Sequence, residues 1–152
     1  MTNSKALLAK FDAAFGAISK PEHFTDYTHC SECAQHDELL RTRDRDTLQI
    51  EDVGNRGWDP LCFSSDEGIA YYMPALLRLT LATETLWYRD QLLFHLSEGA
   101  ATESFRRFCN AQQRQAVAGL LAYFIESRSN LGDSCAEEEN LVRLHERWSD
   151  GA

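Results

Sequence analysis

Asn110-Ala-Gln-Gln113-Arg114-Gln-Ala116-Val117-Ala-Gly-Leu120-Leu121-Ala-Tyr-Phe124 is the stretch that decides the fold. Val117, Leu120, Leu121 and Phe124 fall at i, i+3, i+4 and i+7, the spacing that lines one face of an α-helix. Asn110-x-x-Gln113 has the form of a capping box, in which two side chains take orphan backbone N–H groups at a helix start. Asn130 and Gly132 supply the stop signal. Working outward, Leu7, Leu8, Phe11, Phe15 and Ile18 recur at three or four over residues 3–18, and Lys20-Pro21 ends that pattern. Gly68 to Ala82 is apolar almost all round, as a central buried helix should be. Ser64-x-x-Glu67 reads as its capping box, and Pro74 should kink or divide it. A helix over Glu84 to Glu98 with Gly99 at its C-terminus, a short segment Thr102 to Cys109, and a last helix carrying Leu141, Leu144, His145 and Trp148 complete the pattern.

The expectation is an all-α protein of about six helices forming a single domain over residues 1–152, with a long structured loop region at residues 21–65. That region holds a short helical candidate at Ala34 to Arg43, and Thr47 to Val53 is the best strand candidate in the chain. The expected core takes Phe11, Phe15, Leu76, Leu79, Val117, Leu120, Phe124, Leu144 and Trp148. With 152 residues, 43% hydrophobic and 26% charged, the composition suits one globular domain.

The formal charge is −9. This argues against a nucleic-acid binder, which needs clustered Lys and Arg. No apolar run is long enough to span a bilayer. The first ten residues have neither the apolar stretch nor the cleavage site of a secretory signal, so a cytoplasmic location and reduced thiols are expected for Cys30, Cys33, Cys62, Cys109 and Cys135. The chain has no G-x-G-x-x-G, no P-loop, no H-E-x-x-H, no G-x-S-x-G and no EF-hand loop.

The segment that carries chemistry is His29-Cys30-Ser31-Glu32-Cys33-Ala34-Gln35-His36-Asp37. A C-x2-C turn lets two thiolates share one tetrahedral metal, and zinc takes S and N ligands. Cys30, Cys33, His36 and Cys62 are therefore the candidate ligands of one structural zinc, with His29 or His23 as other sources of a fourth ligand. The other reading is a pair of packed thiols and no cofactor. A Cys-dependent enzyme would use Cys30 as nucleophile, His29 or His36 as base and Glu32 to orient it.

A second cluster runs Gly57-Trp58-Asp59-Pro60-Leu61-Cys62-Phe63. One reading is a ligand pocket lined by Trp58, Phe63, Tyr71 and Tyr72, with Asp59 and His29 as polar groups. The other packs the aromatics onto the core and gives Asp59 a turn. The motifs H-C-x-E-C at His29 to Cys33, W-D-P-x-C-F at Trp58 to Phe63 and E-G-x-x-Y-Y-x-P-A at Glu67 to Ala75 resemble a family of small uncharacterised bacterial proteins. The Gln112-Gln113-Arg114-x-Ala116-Val117 helix start is similar to that family as well. The likeness covers roughly residues 5–128 and implies a bacterial origin and a compact helical domain, with no activity or cofactor to carry over.

Charge is unevenly spread, with 12 acidic and 5 basic side chains in residues 19–70 and 6 acidic and 2 basic in residues 131–152. Such a face either aids solubility or steers a basic partner. The functional expectation is a non-catalytic protein that binds another protein, of the immunity or antitoxin kind, occluding a basic toxin. Asp37, Glu38, Asp44, Asp46, Glu51, Asp52, Asp59, Glu137, Glu138 and Glu139 would meet the partner's Lys and Arg, with Trp58 as an anchor.

Overall fold

A computed structural model describes residues 3–82, 88–97, 99–131 and 135–150. Among them the chain is all-α, with no strand. The helices are α1 (Ser4–Phe15), α2 (Ser31–Thr42), α3 (Ile50–Val53), α4 (Asp66–Ala82), α5 (Arg89–Leu96), α6 (Ala100–Phe108), α7 (Ala111–Leu131) and α8 (Cys135–Ser149), with a 3₁₀ turn at Pro60–Phe63. None of the described helices is long and apolar enough to cross a membrane.

The helix that opened the sequence argument is built as its residues dictate. Asn110 Oδ1 accepts the Gln113 N–H and Gln113 Oε1 accepts the Asn110 N–H, both at 2.8 Å. The Gln113 amide also donates to Ala14 O at 3.1 Å, so the side chain that starts α7 fastens it to the end of α1. Helices α1, α4 and α7 form the frame, and α8 packs along α7. All nine expected core residues are buried in one continuous apolar cluster.

Residues 21–65 are the expected structured loop region, with the helical candidate at Ala34 to Arg43 present as α2; α3 and the 3₁₀ turn are additions to it. The weak strand candidate closes into α3, where the Asp52 carboxylate accepts the Gln49 N–H at 2.8 Å and gives the chain a helical start. Helix α4 begins at Asp66, with Ser65 Oγ accepting the Gly68 N–H at 3.2 Å, so the cap is Ser65 and not Ser64. Pro74 does not divide α4, which runs to Ala82 with residues on every side of it buried. Here packing of a helix that is apolar all round outweighs one missing hydrogen bond. The helix expected over Glu84 to Glu98 is α5, from Arg89; residues 84–87 and 98 lie outside the described residues. Gly99 opens α6 instead of closing α5. Its φ of 151° suits glycine, and its carbonyl accepts the Glu103 N–H at 2.9 Å.

Single polar side chains hold the 21–65 segment to the frame. The Arg45 guanidinium donates to the carbonyls of Phe15 (2.8 Å), Gly16 (3.1 Å), Ile18 (3.0 Å) and Tyr71 (2.6 Å) and lies over the Tyr71 ring. Arg78 donates to the carbonyls of Arg45 and Leu48. The buried Tyr72 hydroxyl donates to Leu40 O at 2.6 Å, joining α4 to α2.

Candidate metal centre

The centre begins with a buried carboxylate. Asp37 Oδ1 accepts the N–H groups of Phe24 (2.6 Å) and Thr25 (3.2 Å), and Oδ2 lies 2.8 Å from His23 Nδ1. Burial would raise the Asp37 pKa, but the His23 hydrogen bond and the two N–H groups outweigh it and hold the carboxyl below its ordinary value. Thr25 Oγ1 donates to Cys33 O at 2.7 Å. Residues 23–25 are thus pinned along α2, and the turn in which His29 N–H donates to Asp26 O at 3.0 Å delivers His29 and Cys30 to the start of the helix.

Cys30 is the N-cap residue of α2. Its backbone is extended, and its sulfur accepts the Cys33 N–H at 3.4 Å. The two sulfurs are 3.4 Å apart, and His29 Nδ1 lies 3.7 Å from the Cys33 sulfur. The Cys33 N–H, then His29 and the Cys33 thiol, lower the Cys30 pKa to about 7. The hydrogen bond with Cys30, with desolvation behind it, raises Cys33, and the hydrogen bond with Cys30 raises His29. His29, Cys30 and Cys33 are a group whose ligand atoms could hold a metal ion.

His36 and Cys62, the other two expected ligands, are not part of this group. His36 is fully buried between the rings of Trp58 (centroids 4.6 Å apart) and Phe63 (4.9 Å, nearly parallel). Its Nε2 is 3.4 Å from Glu32 Oε1, and its Nδ1 has no hydrogen-bond partner among the described residues. The reason is local geometry. Cys30 precedes the helix and folds back over its first turn, whereas His36, almost two turns in, points at the 3₁₀ turn. His23, an alternative fourth ligand, is engaged by Asp37 and stacked on Tyr27. The aromatic pocket resolves the same way, since Trp58 and Phe63 cover His36 while Tyr72 lies in the core.

Cys62 belongs to a different group, Asp59, Cys62 and His95, whose ligand atoms all lie within 4.8 Å of one another. Asp59 starts the 3₁₀ turn by accepting the Leu61 N–H at 2.9 Å. Its other oxygen accepts from the Gln91 amide and lies 2.8 Å from His95 Nε2. The sequence reading missed His95, which lies 36 residues from Asp59. Its signal was two polar side chains, Gln91 and His95, one turn apart on the buried face of α5. Desolvation and the Asp59 charge push the Cys62 thiol up to about 11. Burial pushes Cys109 up to about 12.

Burial removes two residues from the expected acidic docking set. Asp37 and Asp59 are 3% and 2% exposed and cannot meet a partner. Asp52 accepts from the Arg43 guanidinium at 2.9 and 3.2 Å, and Asp44 caps its own turn through the N–H groups of Asp46 and Thr47. Glu38, Asp46, Glu51 and Glu139 are exposed, and Trp58 is half-exposed. On α8, Glu137 lies 3.8 Å from Arg89, and Glu138 is partly buried. No protein-family model, no curated protein and no solved structure matches this chain.

Proposed function

We propose that this protein is a zinc-binding helical domain whose centre, His29, Cys30 and Cys33, locks the preceding turn onto the start of α2. The supporting observation is the pair of separations, 3.4 Å between the sulfurs and 3.7 Å from sulfur to Nδ1. Tetrahedral zinc with ordinary bond lengths needs ligand separations of about 3.8 Å (S to S) and about 3.5 Å (S to N). These two separations lie within a few tenths of an ångström of those values, all three donors lie within 4.8 Å of one another, and Cys30 reaches its thiolate form near neutral pH. When bound, zinc supplies a cross-link between two thiolates and an imidazole; the chain's own Asp37 and Thr25 hold those donors in register. Elemental analysis of protein purified without added metal tests this. The expected result is zinc at a fixed ratio that Cys33→Ser abolishes, and substoichiometric zinc indifferent to that change overturns it.

A second reading, an acidic domain that binds a protein partner of the toxin kind, is favoured by the exposed Trp58 and Phe63 and by the exposed Glu38, Asp46 and Glu51. It calls for capture of a partner from the native host that weakens as salt shortens the reach of charge. If nothing is retained at low salt and the product of the neighbouring reading frame is harmless, that reading is dropped.

A further inference from the structure

Asp59 is a carboxylate with no exposed side-chain surface, and among the described residues no Lys or Arg pairs with it. A buried carboxylate is compensated by hydrogen bonds, by a paired cation or by a metal. Three donors meet here on different elements. Asp59 precedes the 3₁₀ turn, Cys62 lies within it, and His95 comes from the last turn of α5. The surroundings have the form of an outer ligand shell. The Leu61 N–H holds one Asp59 oxygen and the Gln91 amide holds the other, as the partners of a metal-ligating carboxylate do. Cys62 and His95 both border a cavity of about 340 Å³ that Leu61, Ile69, Phe94 and Phe105 also line, so a coordination position not taken by protein opens onto it.

We propose that Asp59, Cys62 and His95 form a second divalent-metal site, with a carboxylate, a thiolate and an imidazole as ligands and a fourth, exchangeable position on the cavity. The mixed O, S, N donor set suits zinc. Binding releases the Cys62 thiol proton to solvent. It also requires the His95 Nε2 lone pair, so the imidazole then carries its proton on Nδ1. The first centre shares no residue with this one and borders no part of that cavity; a cavity beside three protein ligands is the arrangement of sites that bind and exchange a small ligand.

The test is zinc stoichiometry of the full-length chain, by competition with a chromogenic chelator, on wild type, Cys62→Ser, His95→Gln and the double variant Cys30→Ser/Cys33→Ser. His95→Gln keeps an N–H donor for Asp59, and its circular dichroism and melting curve verify the fold. The wild type should bind about two equivalents and each variant about one. Cobalt(II) should show a thiolate-to-metal absorption band in Cys30→Ser/Cys33→Ser, where Cys62 is the ligand. The proposal is overturned if Cys62→Ser and His95→Gln both keep the full wild-type stoichiometry, or if the double variant binds no metal. Loss of one equivalent on changing Cys62 supports it whatever the outcome at Cys30 and Cys33, which judges the first centre alone.

Discussion

Removing the Asp37 carboxylate should loosen the whole approach to the first centre. Asp37→Ala leaves the buried N–H groups of Phe24 and Thr25 without their acceptor and takes the partner from His23. A buried donor left unsatisfied costs about 1–3 kcal/mol, so two of them give a loss of roughly 2–6 kcal/mol. Asp37→Asn keeps one oxygen at the position that serves both N–H groups, and should cost about 1–2 kcal/mol. Urea unfolding followed by circular dichroism measures both. The pH dependence carries the same information. The folded-state pKa of Asp37 lies below its unfolded value, so its contribution is fully present above the ordinary carboxylate range and is lost as pH falls through the depressed value. Asp37→Asn should therefore remove part of the acid sensitivity. Zinc affinity should fall in Asp37→Ala, where the turn bearing His29 and Cys30 is no longer held along α2. A loss under about 0.5 kcal/mol for Asp37→Ala, within the range of ordinary surface substitutions, would refute the reasoning.

Three further outcomes are expected. In metal-free protein at neutral pH, alkylation should reach Cys30 first and Cys62 and Cys109 far more slowly, following thiols placed at about 7, 11 and 12; mass spectrometry of partly alkylated protein reads this, and equal labelling of Cys30 and Cys62 contradicts it. Gly68→Ala would set a Cβ 2.7 Å from Phe24 Cδ2 and 2.3 Å from Ser64 Oγ, and should lower stability by about 1–3 kcal/mol in a thermal or urea melt. Tyr72→Phe removes the donor to Leu40 O inside the core and should cost about 1–2 kcal/mol in the same measurement.

The frame was legible because its signals are local and periodic. The Val117 to Phe124 stripe, the Asn110–Gln113 box and the Leu7 to Phe15 pattern each need only one turn of neighbours, and every residue they assigned to the core is buried. Beyond α2, residues 21–65 were less legible because side chains reaching 13 to 32 positions away hold their elements in place. Arg45 to Phe15 and Tyr71, Tyr72 to Leu40 and Asp37 to Phe24 leave no periodic trace. At the centre, Cys30 and Cys33 were readable from their spacing. His36 follows Cys33 on the same helix, as its spacing implies, but its ring packs against Trp58 and Phe63, a contact that local spacing does not record. Asp37 and Asp59 were both placed on the acidic docking face, since nothing in their neighbours tells a buried, fully hydrogen-bonded carboxylate from a solvated one; the other reading of Asp59, as the residue that makes a turn, is the one its bond to the Leu61 N–H bears out.

Arg45 also sets an order of events. Its guanidinium gathers carbonyls from the end of α1 and from the middle of α4, acceptors that come together only once those helices have packed. If the frame supplies this acceptor cluster first, the 21–65 segment docks on it afterwards and should open before α1, α4 and α7 come apart. Native-state hydrogen exchange should accordingly find α2 amides opening at a lower free energy than those of α4, as one cooperative unit. Equal protection in α2 and α4 would mean that the two halves rise and fall together. Opening of the 21–65 unit would bare Cys33, its one buried thiol among the described residues, while the frame stays folded.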